Sequence, residues 1–398
     1  MGGRGSDFTV VNTFVIRAAQ VFDGERAHRD LPVLVQDGAI ARLGGPVPDW
    51  PVVDSPGTLL PGLIDMHTHL SGDGGFGALD RLADYSEDEL DGVIERALQA
   101  QLAAGVTSVR DLGDRRYATL RWRGRPGLPS IVAAGPPITS PRGHCWNMGG
   151  EASGADGLRA AVAERAERGV DIVKVMASGG GMTPGTDIMA CQFTLDELRL
   201  IVEEAHAAGL PVTAHAHGTP SVEQAVAAGV DGIEHCSCFT PEGIRMSDEL
   251  AATIAARGIT VCPTLGAVGE MTPPPALREF LERTGSTIRD RIGQVARMAD
   301  AGVRIVSGGD SGISPGKPHG MLATAVEWLV DGGIPVEAAL ASATSLAAEV
   351  AGLDRKGRIR PGFDADLLLV DGDPLTDITA LARPAQVWLA GTARCCGS

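Results

Sequence analysis

Aromatic side chains are scarce in this chain, 4% of 398 residues, with only two tyrosines. That leaves little for the stacking platforms on which single-stranded nucleic acids lie. Positive charge is also in deficit: 34 Lys and Arg face 50 Asp and Glu, a formal net charge of −16. Such a balance disfavours phosphate backbones and anionic membranes as partners, yet leaves room for a small anion held by one local cation. No apolar run approaches the roughly 20 residues of a bilayer span. The opening Met1-Gly2-Gly3-Arg4-Gly5-Ser6-Asp7 lacks the apolar stretch of a secretory signal. The seven cysteines are odd in number and scattered, which is not a disulfide framework. These absences predict a cytoplasmic protein with reduced thiols and neither a nucleic-acid nor a membrane partner. Cys395 and Cys396, in the tail, receive no chemical role.

What the chain does have is apolar content, 44%, and a length beyond one ordinary hydrophobic core. Residues 8–60 read as short strands, with Asp37-Gly38 as a hairpin turn. From about residue 63 short apolar strands alternate with Ala/Glu/Arg-rich amphipathic helices. Strands are predicted at 63–66, 107–111, 131–134, 172–176, 211–214, 232–234, 260–262 and 304–307. Helices fit between them, for example at 87–104, 156–168, 195–208 and 288–301, several ending in a capping glycine such as Gly209 or Gly302. Eight such units favour a (β/α)8 TIM-type barrel over residues 61–356, with an open doubly wound sheet as the alternative. Strands return at 358–359, 365–370 and 386–390. The two chain ends, 1–60 and 357–398, are therefore expected to pair into a small β-sandwich domain.

The most informative stretch is Pro61-Gly62-Leu63-Ile64-Asp65-Met66-His67-Thr68-His69. It reads as a buried strand closing on two histidines at i, i+2, which project from the same face. By itself such a pair is as readily two hydrogen-bonded strand-end histidines. Lys174 interrupts the apolar strand Ile172-Val173-Lys174-Val175-Met176. An unpaired buried ammonium is costly. The residue is either a snorkelling or ion-paired lysine or one carboxylated by CO2 into an anionic carbamate able to bridge two cations. His215 and His235 each close a short apolar strand, at the end that faces the active site in a barrel, and neutral imidazole is a common zinc ligand. His217 follows at i+2 but is expected past the strand end, as a residue facing substrate or supporting the ligands. Asp310, after Ser307-Gly308-Gly309, is either a turn Asp or the close of the last barrel strand.

Together these residues resemble those of the amidohydrolase superfamily, as does the closing motif Gly357-Arg358-Ile359-Arg360-Pro361-Gly362-Phe363-Asp364-Ala365-Asp366-Leu367. The pattern is most similar to the imidazolonepropionase/prolidase-like (Xaa-Pro dipeptidase-type) branch. It shares Thr183-Pro184-Gly185, Ala214-His215-Ala216-His217-Gly218 and Ile233-Glu234-His235. The resemblance implies a pair of divalent ions, most simply Zn2+. His67, His69 and Asp310 would hold one, His215 and His235 the other, with carboxylated Lys174 bridging. It also implies a small-molecule substrate, and a homo-oligomer would be unsurprising.

Two close cations bring a shared water to hydroxide near neutrality, so hydrolysis of an amide-type C–N bond in an N-acyl amino acid, dipeptide or cyclic amide is the expectation. The alternative is the same centre acting on an ester, lactone, carbamate or organophosphate. Asp310 is the expected base. In the loop Ser140-Pro141-Arg142-Gly143-His144-Cys145-Trp146-Asn147, His144 is the candidate donor to the substrate carbonyl and Arg142 a candidate carboxylate ligand. A thiol mechanism through Cys145 and His144 is the competing class. The glycines of 178–181 are expected where backbone approaches the metal site closely. The long loop 263–286, with Met271 and Pro273-Pro274-Pro275, is expected to shape specificity.

Overall fold

The computed structural model describes residues 13–269, 273 and 275–394. Met271, Pro274, Cys395 and Cys396 lie outside them. Strands β1 (Phe14–Phe22), β2 (Ala27–Arg29), β3 (Val33–Gln36), β4 (Ala39–Leu43) and β5 (Val52–Pro61) come first. They are followed by the parallel series β6 (Leu63–Thr68), β7 (Val106–Asp111), β8 (Ser130–Ala133), β9 (Val173–Met176), β10 (Val212–Gly218) and β11 (Gly232–Thr240). A short antiparallel β12 (Gly243–Ile244) precedes β13 (Thr260–Cys262) and β14 (Arg304–Ile305), and β15 (Leu367–Val370), β16 (Pro384–Leu389) and β17 (Thr392–Arg394) close the chain.

Between the parallel strands run α1 (Glu87–Ala103), α2 (Gly154–Arg168), α3 (Leu195–Ala207), α4 (Thr219–Ala228), α5 (Asp248–Ala256), α6 (Pro275–Thr284) and α7 (Ile288–Asp300). They are followed by α8 (Leu322–Asp331), α9 (Val336–Ala341) and α10 (Ser345–Val350). Capping boxes start α1 at Ser86/Glu89, α3 at Thr194/Glu197 and α7 at Thr287/Asp290. Gly209 and Gly302 follow their helices at φ +75° and +87°, the left-handed geometry that glycine adopts without strain.

The parallel strands neighbour one another in chain order, β6-β7-β8 in one ladder and β9-β10-β11-β13-β14 in another. A doubly wound sheet would reverse its order at a switch point, and none occurs within these ladders. Single bridges join the two ladders at both seams, Ile138↔Val175 and Thr68↔Ser311. With helices following the strands, this is a TIM-barrel-like α/β fold. Both chain ends meet in a separate mixed sheet ordered β17-β16-β15-β5-β1-β3-β4. It has its own core, in which Phe14 stacks on Trp388 at 6.0 Å beside Ile16, Val35 and Leu367.

Three expectations need correction. The strand expected at 304–307 ends at Ile305: Ser307 turns away, its N–H donating to Ser342 O, ahead of Gly308-Gly309. Residues 358–359 form no strand, because Gly357 takes φ +73° and Ile359 N donates to Asp23 O, outside any ladder. β10 continues through His217 rather than ending at 214, since Gly218 pairs with Phe239 and the His217 N–H reaches Ser178 Oγ at 3.1 Å. No described helix is long and apolar enough to cross a membrane.

Candidate metal centre

Strands β6, β10 and β11 and the turn after β14 converge. His67 Nε2 and His69 Nε2 each stand 3.3 Å from the same atom, Asp310 Oδ1. Strand alternation explains the pair, since i and i+2 share a face. His235 departs from alternation: it adopts φ +65°, so that it and Glu234, adjacent in sequence, both turn toward His67. Asp310 reaches inward from φ +54°. His215, His217 and His235 form a second group, their candidate ligand atoms within 4.8 Å of one another, and His67, His69 and Asp310 meet the same criterion. The groups adjoin, with the His67 and His235 ring centroids 5.3 Å apart.

The free nitrogens decide what these groups can hold. His67 Nδ1 bonds Glu234 Oε2 at 2.7 Å and His69 Nδ1 bonds Gly113 O at 3.0 Å, leaving each Nε2 facing Asp310. His215 Nε2 bonds Gly179 O at 3.1 Å, which frees Nδ1; His235 Nδ1 bonds Thr264 Oγ1 at 2.8 Å, which frees Nε2. Imidazole lone pairs converging on a carboxylate oxygen repel unless a cation lies among them. One nitrogen anchored and the other free is the arrangement by which metal-binding histidines are fixed in tautomer and direction. The donor set therefore fits divalent ions.

Burial pulls the His67 pKa down to about 4 and that of His217 to about 3, and it holds His215 and His235 well below the usual imidazole range. Neutral imidazole is the ligating form. His69 is the exception: burial lowers its pKa, but Asp310 and Asp111 outweigh this and raise it. Burial would also raise the Asp310 carboxyl, yet His67 and His69 hold it far below the usual carboxylate range.

Lys174 lies in the middle of β9, paired with Thr213 of β10 and 1% exposed. Among the described residues no hydrogen bond or ion pair engages its ammonium nitrogen. Burial lowers its pKa against the pull of Glu234 and Asp310.

His144 lies beside His215, ring centroids 4.5 Å apart and planes tilted by 42°. Its Nδ1 meets Thr183 Oγ1 at 2.9 Å, and the same oxygen accepts the Cys145 N–H at 3.0 Å. The hydroxyl hydrogen is then available to Nδ1, which assigns the ring proton to Nε2. At 178–181, Gly179 O meets His215 Nε2, and a Cβ on Gly180 would lie 2.4 Å from His144 Nε2. Cys145 is buried and its thiol is pushed up to about 12, mainly by that burial, so it is no thiolate nucleophile. His217 Nδ1 bonds Ser237 Oγ at 2.8 Å, and its ring lies 4.6 Å from both His215 and His235. The extension of β10 is what brings it there. Arg142 is not brought to the cluster. It is exposed at φ +57°, with its backbone N–H on Glu151 Oε1 at 2.7 Å.

Sequence reasoning missed Glu234. Its carboxylate accepts from His67, from Arg110 Nη2 at 2.9 Å and from Thr213 Oγ1 at 2.5 Å. Burial raises its pKa, but Arg110 and His67 override this and keep it ionised. The signal was available, since Glu234 and Arg110 are ionisable residues inside apolar strands, as Lys174 is. Thr183 stood in a shared motif, but its role toward His144 was not readable because it depends on two loops meeting.

A TIM-barrel-like fold carrying metal-competent donors at its strand ends defines a class of hydrolases. The chain belongs to the amidohydrolase family, whose profile matches residues 58–394. It is 28% identical over 376 residues to ochratoxinase of Aspergillus niger, covering 84% of this chain and 75% of that one. It is 27% identical over 370 residues to imidazolonepropionase of Salinispora tropica, covering 86% of each. The crystal structure of a Xaa-Pro dipeptidase with bound methionine superposes with a TM-score of 0.82 at 25% identity, covering 96% of this chain and 99% of the other. These similarities fall in the imidazolonepropionase/prolidase-like branch.

Proposed function

We propose that this protein is a binuclear metal-dependent amidohydrolase that cleaves an amide-type C–N bond in a small molecule such as an N-acyl amino acid, dipeptide or cyclic amide. The reading is carried by one observation: His67, His69 and Asp310 adjoin His215 and His235 beside a buried lysine that has no polar partner among the described residues. The relatives' names, ochratoxinase, imidazolonepropionase and Xaa-Pro dipeptidase, support a C–N bond as the target. In this reading residues 61–356 close into the catalytic barrel, and 1–60 with 357–398 form a small β-sandwich domain. Free cysteines support a cytoplasmic setting.

His67, His69 and Asp310 would hold one ion, His215 and His235 the other, most simply zinc, with Lys174 as a carbamate between them. The lowered pKa of Lys174 supports this, because only the neutral amine adds to CO2. Two such ions supply a water acidified to near-neutral pKa and a polarised carbonyl. Asp310 takes the water proton and passes it to the leaving nitrogen, and its depressed pKa keeps it ready as a base. His144 donates from Nε2 to the carbonyl oxygen as negative charge develops. His217, beside His215 and His235, borders the substrate.

The test is a screen of zinc-loaded enzyme against N-acyl amino acids, dipeptides and cyclic amides, with lactones, esters, carbamates and phosphotriesters in parallel. Chelator-sensitive turnover of an amide supports the reading. Turnover confined to the oxygen esters overturns the C–N assignment.

A further inference from the structure

Lys317 is a cation that the mechanism does not use. The turn after β14 folds back on itself, with Lys317 N donating to Ser314 O at 2.9 Å and Gly312 N to Lys317 O at 2.7 Å. This directs the side chain inward, where the residue is 8% exposed. Its Nζ donates to Thr264 O at 2.8 Å, its one hydrogen bond or ion pair among the described residues. Thr264 is the residue whose hydroxyl meets His235 Nδ1 at 2.8 Å, and it is held at φ +52°. The ammonium thus sits at the ends of β13 and β14, close enough to Asp310 that its charge helps keep that carboxyl ionised.

Two buried arginines near the strand ends are committed. Arg110 is spent on Glu234 and Met66 O, and Arg291 on the backbone carbonyls of His235, Cys236 and Pro263. Arg142 is exposed. An ammonium has three donors, and Lys317 uses one. Asp310 and Asp65 pull on this buried ammonium without an ion pair to it among the described residues, and a carboxylate is the group that best takes its open donors, through a short charge-assisted bond. In an N-acyl amino acid the free carboxylate is attached to the carbon that bears the scissile nitrogen. Its anchor must therefore lie near the group that protonates that nitrogen, and Lys317 follows Asp310 in the same turn and bonds the residue that holds the His235 ring.

We propose that Lys317 anchors a free carboxylate on the substrate, so that the enzyme acts on N-acyl amino acids or dipeptides adjacent to their C-terminal carboxylate. This rests on the amidohydrolase reading and narrows it. The probe is an N-phosphonyl amino acid, which carries a tetrahedral phosphorus in place of the scissile carbonyl, and its C-terminal carboxamide. Both are titrated calorimetrically into the zinc-loaded protein. Wild type should bind the acid at least about tenfold more tightly than the carboxamide. Lys317→Met should abolish that preference while leaving carboxamide affinity and zinc content unchanged, and Lys317→Arg should retain part of it. Equal wild-type affinity for the two probes would overturn the proposal without any variant being needed. So would a Lys317→Met protein that weakens both equally or loses zinc, since that is a structural lysine holding Thr264. Failure of the hydrolytic reading is separate: it shows as no turnover of any amide, cyclic amides included, whatever the ratio of probe affinities.

Discussion

Glu234 Oε2 lies 2.7 Å from His67 Nδ1, and the other carboxylate oxygen takes the Arg110 guanidinium at 2.9 Å. One buried acid therefore fixes the direction of a metal-competent imidazole and neutralises a buried cation. Glu234→Ala leaves Arg110 without its carboxylate, which costs about 3–5 kcal/mol for a broken buried pair. It also frees the His67 ring, for which loss of an orienting partner typically costs about 10–100-fold in metal affinity. Thermal melts and zinc titration of this variant should show both losses. Wild-type zinc affinity in a destabilised protein would separate the two roles.

Asp310→Asn keeps the shape of the side chain and removes the base. Turnover should fall by about 10²–10⁴-fold, with a smaller loss of bound metal. Near-normal turnover would remove Asp310 from proton transfer.

Gly180→Ala places a Cβ where 2.4 Å separates it from His144 Nε2. The ring must move, and the three atoms nearest that Cβ all belong to His144 rather than to a metal ligand. The expected outcome is reduced kcat with unchanged zinc content and a melting temperature close to that of wild type. Unaltered kcat would deny His144 its place on the carbonyl.

Acid sensitivity has a definite sign. The His67, His144 and His217 pKa values are lowered by burial from 6.5 to about 4, 3 and 3. A depressed folded-state pKa contributes stability that is complete above the unfolded value and is lost as pH falls through the folded one. Metal-free protein should therefore lose stability between about pH 6.5 and 3, on the order of 3 kcal/mol from His67. Glu234, depressed for its own class, acts in the same direction, and His69, raised, acts oppositely. Denaturant melts across this range on chelator-treated protein give the slope. A flat profile would mean that the imidazoles are not buried as neutral groups.

The legible part of the sequence was the part governed by period and by misplaced charge. Alternation after Gly62 put His67 and His69 on one face, and an apolar strand broken by Lys174 marked that residue. Capping residues such as Thr194 and Gly209 marked helix ends. What stayed hidden depends on backbone departures and on loops meeting. The positive φ of His235 turns two consecutive residues inward, against alternation, so Glu234 was read as an ordinary strand residue. The extension of β10 through His217 depends on Gly218 pairing with Phe239, a contact between separate strands. Lys317 is unremarkable in Pro315-Gly316-Lys317-Pro318 until the turn folds it back against Thr264.

The most direct measurement is anomalous diffraction at the zinc edge from crystals grown with zinc and bicarbonate. The expected result is two peaks per chain, one touching His67, His69 and Asp310, the other His215 and His235, with density for a carboxylate on Lys174 Nζ between them. A single peak beside an unmodified Lys174, or no peak at all, would contradict the binuclear centre.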